Sequence, residues 1–219
     1  MSSDRGLFMK VVNDIHLVDE TNANVYVIDL ADKLLIVDAG LPGMGDVVLR
    51  YIKDNLRRTD EVLIVVTHAH YDHVGSLKVL KEKLNARVAC HVDEAPYVRG
   101  EKYLGGYRHE PVEPNILLRD EDLLYDRFKV VHVPGHTPGS ICLYDIETQA
   151  LFTGDLVYEK HGELYEIPYQ YSLDPMANRR QIIRIAELGF KHVLPSHGKP
   201  ILDNGLVKWR ELVEKLKAT

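Results

Sequence analysis

Four side chains that commonly bind metals lie close together in the segment His68-Ala-His70-Tyr-Asp72-His73. The segment follows Glu61–Val66, a continuous apolar run that predicts a strand buried on both faces. Alternate side chains of an extended segment point the same way, so His68 and His70 can bind one target. We expect the chain then to turn into a helix, on which Asp72 and His73 point to one side. This spacing favours two adjacent cations over a single tetrahedral ion.

Three further candidate ligands follow predicted strands, and each has a glycine next to it. His136 lies within Pro-Gly-His-Thr-Pro-Gly-Ser, Asp155 within Thr-Gly-Asp, and His197 within Pro-Ser-His-Gly. Loops that follow strands are the usual place for chemistry on an α/β scaffold. A neighbouring glycine lets the backbone come close to a metal. These residues complete the ligands that two cations require.

Strand-like and helix-like segments alternate along both halves of the chain. The predicted strands are Ile15–Val18, Asn24–Leu30, Lys33–Asp38, Glu61–Val66, Arg87–His91, Phe128–Val133, Ser140–Tyr144, Ala150–Thr153 and Lys191–Leu194, and the predicted helices are Asp46–Arg57, Ser76–Leu84, Asp174–Leu188 and Leu206–Leu216. Asp174 is the expected N-cap of its helix, with Pro175 at the first helical position. The pattern predicts an α/β fold, a four-layer αββα sandwich, as a single domain over residues 1–219.

Composition narrows the class of protein. The chain is 45% apolar and 27% charged, which is typical of a globular protein, and its net charge of −6 disfavours a nucleic-acid partner. No apolar run approaches the roughly 18 residues of a membrane span, and the first residues lack the apolar segment of a secretory signal. Cys90 and Cys142 are too few for a disulfide framework, which favours a reducing compartment. We expect a cytoplasmic location, a small-molecule substrate and no membrane partner.

The segment 92–115 is irregular, because glycines and prolines interrupt any period. We interpret it as a long loop with one helical turn, and it carries Tyr97, Tyr103 and Tyr107. Such a stretch is compatible with a lid or with the contact of a homodimer, and equally with surface structure that has no further role.

The four motifs, in this order, resemble the metallo-β-lactamase superfamily of metallohydrolases. The likeness runs from about Asn24 to Gly198 and implies the αββα fold. It also implies that one metal is bound by His68, His70 and His136, that a second is bound by Asp72, His73 and His197, and that Asp155 bridges the two. Asp38, in Ile-Val-Asp-Ala-Gly, matches an aspartate of the family that lies near the metals without binding them.

The expected chemistry is hydrolysis. Two cations about 3.5–4 Å apart lower the pKa of a shared water, so that a metal-bridging hydroxide attacks an electrophilic carbonyl or phosphorus. Asp72 can orient that water and carry a proton to the leaving group. Five histidines and two carboxylates suit Zn²⁺ best, and mixed nitrogen and oxygen sites also accept Fe or Mn.

Tyr158 bears on the substrate. It lies three residues after Asp155, which resembles the N-acyl homoserine lactone lactonases, in which a tyrosine at this offset helps to bind the carbonyl oxygen. We therefore expect cleavage of a small ester, a lactone or a thioester, with a lactone favoured. Hydroxyacylglutathione hydrolases carry a helical extension after the last histidine that binds glutathione, whereas a single helix is predicted after His197, which disfavours that assignment and leaves a thioester substrate open. An iron-dependent sulfur or oxygen oxidoreductase, similar to the persulfide dioxygenases, is the alternative.

Overall fold

The computed structural model describes residues 8–18, 21–56 and 61–218. The chain divides into two compact units. The first comprises Met1–Cys90 and Ala95–Ile116, and the second comprises His91–Glu94 and Leu117–Thr219. The single domain expected over residues 1–219 stays a prediction.

The first unit is built on a mixed sheet with helices. The strands of this sheet are β1 (Phe8–Val12), β2 (Ile15–Val18), β3 (Val25–Asp29), β4 (Lys33–Val37), β5 (Glu61–Val66), β6 (Arg87–His91) and β7 (Ile116–Leu118), and the helices are α1 (Gly45–Asn55), α2 (Tyr71–Val74), α3 (Leu77–Leu84) and α4 (Ala95–Val98). The last residue of β6 and the last two residues of β7 belong to the second unit. The strands follow the order β1 to β7 across the sheet. Neighbours from β1 to β4 are antiparallel, whereas β4, β5 and β6 are parallel.

The parallel strands explain the apolar sequence of β5. Each of its residues after Glu61 is buried, because the strand has a neighbour on both sides and lies within the unit's apolar core. The carboxyl ends of β4 and β5 meet at one edge of the sheet, where the backbone N–H of Asp38 donates to Val65 O at 2.9 Å. Residues that follow these two strands are therefore brought together.

The second unit contains a five-stranded sheet, a two-stranded hairpin and two α-helices. Its strands are β8 (Leu123–Leu124), β9 (Phe128–His132), β10 (Ile141–Asp145), β11 (Ala150–Phe152), β12 (Val157–Lys160), β13 (Glu163–Glu166) and β14 (His192–Leu194), and its helices are a 3₁₀ turn (Tyr169–Tyr171), α5 (Pro175–Ile185) and α6 (Gly205–Lys217). The sheet order is β14-β11-β10-β9-β8, and β12 pairs with β13.

The register of the second sheet places three loops at one edge. Ile141 at the start of β10 pairs with His132 at the end of β9, and Phe152 at the end of β11 pairs with Leu194 at the end of β14. Because β10 and β11 are antiparallel, the end of β11 pairs with Leu143 at the middle of β10, and the chain beyond it runs toward the start of β10. The loops that follow β9, β11 and β14 therefore emerge together.

Each unit has its own apolar core, and each core contains one cysteine. Cys90 is buried in the first core and Cys142 in the second. Burial raises the pKa of the Cys142 thiol far above its ordinary value. In the second core the Trp209 indole N–H donates to Ile182 O at 2.8 Å. Both thiols are thus structural side chains.

Most predicted elements are present. The bounds of β2, β5 and β6 are those predicted, and Asp174 caps α5 by accepting from the Ala177 N–H at 2.8 Å. Of the helix predicted over Asp46–Arg57, Arg57 lies outside the described residues. The one helical turn expected within 92–115 is α4. Five strands were not predicted, namely β1, β7, β8, β12 and β13. Within the described ranges, no helix is both long and apolar enough to cross a membrane.

Candidate metal centre

The first unit brings together the four ligand candidates of the histidine-rich segment. His68 and His70 follow β5, and their ring centroids lie 4.9 Å apart. The chain then turns into α2, as predicted, with His70 at the N-cap position. His73 lies on this helix with its ring centroid 3.9 Å from that of His68. Asp72 Oδ2 lies 3.9 Å from His73 Nε2, so the helix directs both side chains to one side.

A buried aspartate orients His73. Asp38 is fully buried, and its Oδ2 lies 2.8 Å from His73 Nδ1. The same carboxylate accepts hydrogen bonds from the backbone N–H of Thr67 at 2.8 Å and from Thr67 Oγ1 at 2.7 Å. A carboxylate at Nδ1 places the imidazole proton there and leaves Nε2 as the atom that binds a metal. Asp38 thus lies beside the candidate ligands, as the family resemblance implies.

Thr67 also contacts the first histidine. Its Oγ1 lies 3.2 Å from His68 Nδ1, and because its own proton is donated to Asp38, it can accept from that nitrogen. His68 therefore presents Nε2 in the same way as His73. One threonine and one aspartate thus fix the tautomers of two candidate ligands.

The second unit brings together the other three candidates around one carboxylate. Asp155 Oδ2 lies 3.5 Å from His136 Nε2, and its Oδ1 lies 3.4 Å from His197 Nε2. The three residues occupy the loops after β9, β11 and β14, at the edge where the sheet register places them. A carboxylate that faces one imidazole with each oxygen has the geometry of a bridging ligand. The bridging role itself stays a prediction.

Further contacts fix the positions of these histidines. His136 Nδ1 lies 3.2 Å from Ser172 Oγ, which leaves Nε2 directed at Asp155. The backbone N–H of Glu159 donates to His197 O at 2.9 Å. His136 is therefore held at the ring nitrogen away from the carboxylate, and His197 is held through its backbone.

Tyr158 directly precedes Glu159, whose backbone N–H donates to His197 O. It lies on β12, and its ring stacks on Tyr165 with the centroids 5.3 Å apart and the planes 25° apart. Its side chain is partly exposed. The role expected for it, binding of a carbonyl oxygen, stays a prediction.

A third cluster of metal-binding side chains lies within the second unit. His91, Asp93 and His132 each offer a ligand atom within 4.8 Å of the others. The two imidazole rings are stacked, with centroids 3.8 Å apart and planes 14° apart. The lone pair of an imidazole nitrogen lies in the ring plane, so two nearly parallel rings do not converge on one ion. The stack is therefore a structural contact.

The residues that orient the ligands were not predicted, except for Asp38. Thr67 directly precedes the histidine-rich segment, so its position in the sequence was a usable signal. Ser172 is 36 residues from His136 in the chain, and no local pattern links the two. Only the fold shows that they meet.

The family model of the metallo-beta-lactamase superfamily matches residues 18–198 of the chain. The chain therefore belongs to the metallo-β-lactamase superfamily. It is 32% identical over 212 residues to an acyl-coenzyme A thioesterase, MBLAC2, of Gallus gallus, a match that covers 80% of this chain and 72% of that protein. It is also 32% identical over 155 residues to a hydroxyacylglutathione hydrolase of Pelagibacter ubique, which covers 68% of this chain and 57% of that one.

Solved structures share the fold. The class B3 di-zinc metallo-β-lactamase LRA-12 from an Alaskan soil metagenome superposes with a TM-score of 0.74 at 20% identity, over 97% of this chain and 92% of that one. TTHA1623, crystallised in a di-iron-bound form, superposes with a TM-score of 0.68 at 26% identity, over 87% and 93%. The predicted fold class, an α/β sandwich of the metallo-β-lactamase type, is confirmed, and so is the expected enzyme class, a hydrolase.

Proposed function

We propose that this chain is a dinuclear metal-dependent thioesterase that hydrolyses acyl esters of small thiols. The observation that carries the proposal is the likeness, at 32% identity in each case, to an acyl-coenzyme A thioesterase and to a hydroxyacylglutathione hydrolase. Both names describe the removal of an acyl group from a thiol carrier. The two units act as one domain in this function.

The chemistry of the donor set fits two divalent cations. Three of the five histidines hold an oxygen atom at Nδ1, from Thr67, Asp38 and Ser172, which keeps Nε2 as the ligand atom. His68, His70 and His136 would hold a first cation, Asp72, His73 and His197 would hold a second, and Asp155 would serve both. The resident metal is Zn²⁺, because sites rich in imidazole with few carboxylates suit it.

When bound, the two cations supply Lewis acidity, which activates a water molecule and polarises the acyl carbonyl. The protein contributes a place for the proton. The Asp72 carboxylate is partly open, with 17% of its side chain exposed, and takes the proton of the attacking water at Oδ2. The carbon–sulfur bond breaks, the acyl group leaves as a carboxylic acid, and Asp72 gives the proton it has taken up to the departing thiolate.

A lactonase is the second candidate, favoured by Tyr158. Its hydroxyl binds the carbonyl oxygen of the substrate in this alternative, and its ring is held by Tyr165. A lactone is an oxygen ester, so the same cations and the same aspartate suffice. The two candidates differ in the leaving group and in their dependence on the Tyr158 hydroxyl.

The test is a substrate panel with purified, zinc-loaded protein. The panel contains an acyl-coenzyme A, a hydroxyacylglutathione and an N-acyl homoserine lactone, and turnover is compared before and after chelation. We expect thioester hydrolysis that requires two metals per chain. The variant His136→Gln should lose at least about 100-fold in kcat/KM, because loss of a ligand disrupts a metal site. His161→Gln, at an exposed turn, is the matched control and should keep wild-type activity.

The outcomes separate the candidates. Absence of thioester turnover by protein that carries two metals would refute the proposal. Faster hydrolysis of the lactone, with loss of that activity in Tyr158→Phe, would establish the lactonase instead. One bound iron together with oxygen uptake on a persulfide would establish the oxidoreductase.

A further inference from the structure

The loop that carries His136 is wrapped around a buried carboxylate. Glu94 is fully buried, and its Oε2 accepts a hydrogen bond from Thr137 Oγ1 at 2.8 Å. The same oxygen accepts from the backbone N–H of Gly139 at 2.9 Å. Glu94 therefore binds the loop on the carboxyl-terminal side of His136.

Glu94 also accounts for the residues that follow His136. A Cβ on Gly139 would collide with the backbone nitrogen and the Cβ of Glu94, so glycine is required for this close approach. Ser140 Oγ lies 2.8 Å from Thr137 Oγ1 and accepts from the Thr137 N–H at 3.0 Å. Three positions of the motif are thus adapted to the carboxylate.

Two further contacts hold the loop. His132 Nε2 lies 2.9 Å from Pro138 O, and Ser172 Oγ contacts His136 itself at Nδ1. Burial of a carboxylate is unfavourable unless hydrogen bonds offset the loss of hydration. Glu94 Oε2 makes its hydrogen bonds to the segment that follows His136.

We propose that Glu94 is a positioning residue that holds His136 in the orientation in which it binds a metal. This inference rests on the metal centre of the proposed function. Without Oε2, Thr137 and Gly139 lose a common anchor, and the backbone that follows His136 is held less firmly. The His136 imidazole then has to be ordered at the moment the metal binds, which weakens binding.

The test measures zinc affinity rather than activity. Glu94→Met keeps the length of the side chain and removes both oxygens, whereas Glu94→Gln keeps one acceptor. We expect Glu94→Met to raise the dissociation constant of one zinc ion about 10- to 100-fold, in the range found when residues that orient metal ligands are replaced. Glu94→Gln should restore most of the affinity. Competition with a chromophoric chelator measures the affinities of the two zinc ions separately.

A matched control separates positioning from stability. Asp145 is another fully buried carboxylate of the same unit, where it holds Arg127 Nη2 at 2.7 Å and Thr148 Oγ1 at 2.6 Å, away from the His136 loop. Asp145→Asn should lower the melting temperature and leave both zinc affinities unchanged. A general loss of stability in Glu94→Met would therefore not mimic the expected result.

A second variant keeps the test decisive if Glu94→Met does not fold. Thr137→Val removes the hydroxyl that donates to Glu94, and it should weaken the same zinc ion by a smaller factor. Wild-type affinity for both ions in Glu94→Met, or in Thr137→Val when Glu94→Met cannot be obtained, would overturn the inference. Failure of the thioesterase assay with two zinc ions bound would refute the proposed function alone, because zinc affinity is measured without substrate.

Discussion

The sequence around Asp38 fits either a turn residue or a residue that supports a metal ligand, and Asp38 has the properties of both. An aspartate before a glycine at the end of a strand is common turn chemistry, and Asp38 does have a left-handed backbone with φ of 64°. Its carboxylate nevertheless accepts three hydrogen bonds, two from Thr67 and one from His73. The turn conformation directs the side chain back across the end of β5. The residue is therefore both the turn and the support of a candidate ligand.

Replacing Asp38 by asparagine tests this role. The amide NH₂ would take the place of Oδ2, so His73 would have to accept a hydrogen bond at Nδ1 and carry its proton at Nε2. We expect zinc affinity to fall about 10- to 100-fold. The free energy of unfolding should fall by about 1–3 kcal/mol, the cost of leaving buried groups badly paired. Zinc titration and chemical denaturation measure the two effects.

The control for Asp38 is Asp29→Asn. Asp29 is the partly exposed last residue of β3 in the same unit, and it accepts from the Ala31 N–H at 3.1 Å. We expect it to change neither zinc affinity nor stability appreciably. Equal effects of the two substitutions would contradict the role assigned to Asp38.

At the scale of elements, the predictable part of the fold is the part with a strong local signal. β5 and β6 were predicted with their bounds, because each is a short run of mainly apolar residues with clear ends. The hairpin of β12 and β13 was missed, because its two-residue turn is His161-Gly162, with φ of 56° and 79°, rather than the familiar Asn-Gly. β7 and β8 have three and two residues and carry no usable period.

The candidate site, like the fold, was predictable where the local sequence signal is strong. Four of its seven ligand candidates were found from their spacing within 68–73, and the other three because histidine or aspartate stands next to glycine in loops after strands. Ser172 and Glu94 support His136 from segments distant in the chain, so no local signal could identify them. Contacts between distant segments depend on register and packing, which a single sequence does not specify.

Gly135 joins the His136 loop to α5, and this contact is testable. Its φ of 148° disfavours other residues, and a Cβ there would overlap the backbone nitrogen of Asn178 on α5. We expect Gly135→Ala to displace the helix from the loop and to lower the melting temperature strongly. Gly162→Ala is the control, because Gly162 also has a positive φ but open space around it.

Gly162→Ala should lower the free energy of unfolding by about 1–2 kcal/mol, the cost of conformational strain alone. Gly135→Ala should exceed that cost, because it adds a steric clash with the first turns of α5. Thermal unfolding of the two variants measures the difference. A cost for Gly135→Ala no larger than that for Gly162→Ala would show that the contact contributes nothing.

At the scale of the whole molecule, buried histidines make stability depend on pH. The pKa values of His16, His91, His109 and His192 all lie below the ordinary value, in each case chiefly because burial disfavours the charged ring. For His91 the neighbouring His132 adds to the shift, whereas Asp93 and Asp120 oppose it. The unfolded chain takes up these protons at a higher pH than the folded chain does.

The difference between the histidine pKa values of the folded and unfolded chain determines how stability changes with pH. The contribution of these histidines is present above a pH of about 6.5 and is lost as the pH falls through their lowered pKa values. We expect the free energy of unfolding of the metal-free chain to fall between pH 7 and pH 5.5. His91→Phe keeps the stack on His132 without a titrating group, so its curve should be shallower. His161→Gln should follow the wild type, and parallel curves for all three proteins would contradict the assignment.

The burial of Cys90 and Cys142 has a practical consequence. Each sulfur is enclosed in an apolar core, so the folded chain presents no nucleophilic thiolate of its own. A cysteine introduced at any exposed position becomes the single handle for maleimide reagents. The native sequence is therefore already a suitable background for attaching fluorescent or spin labels.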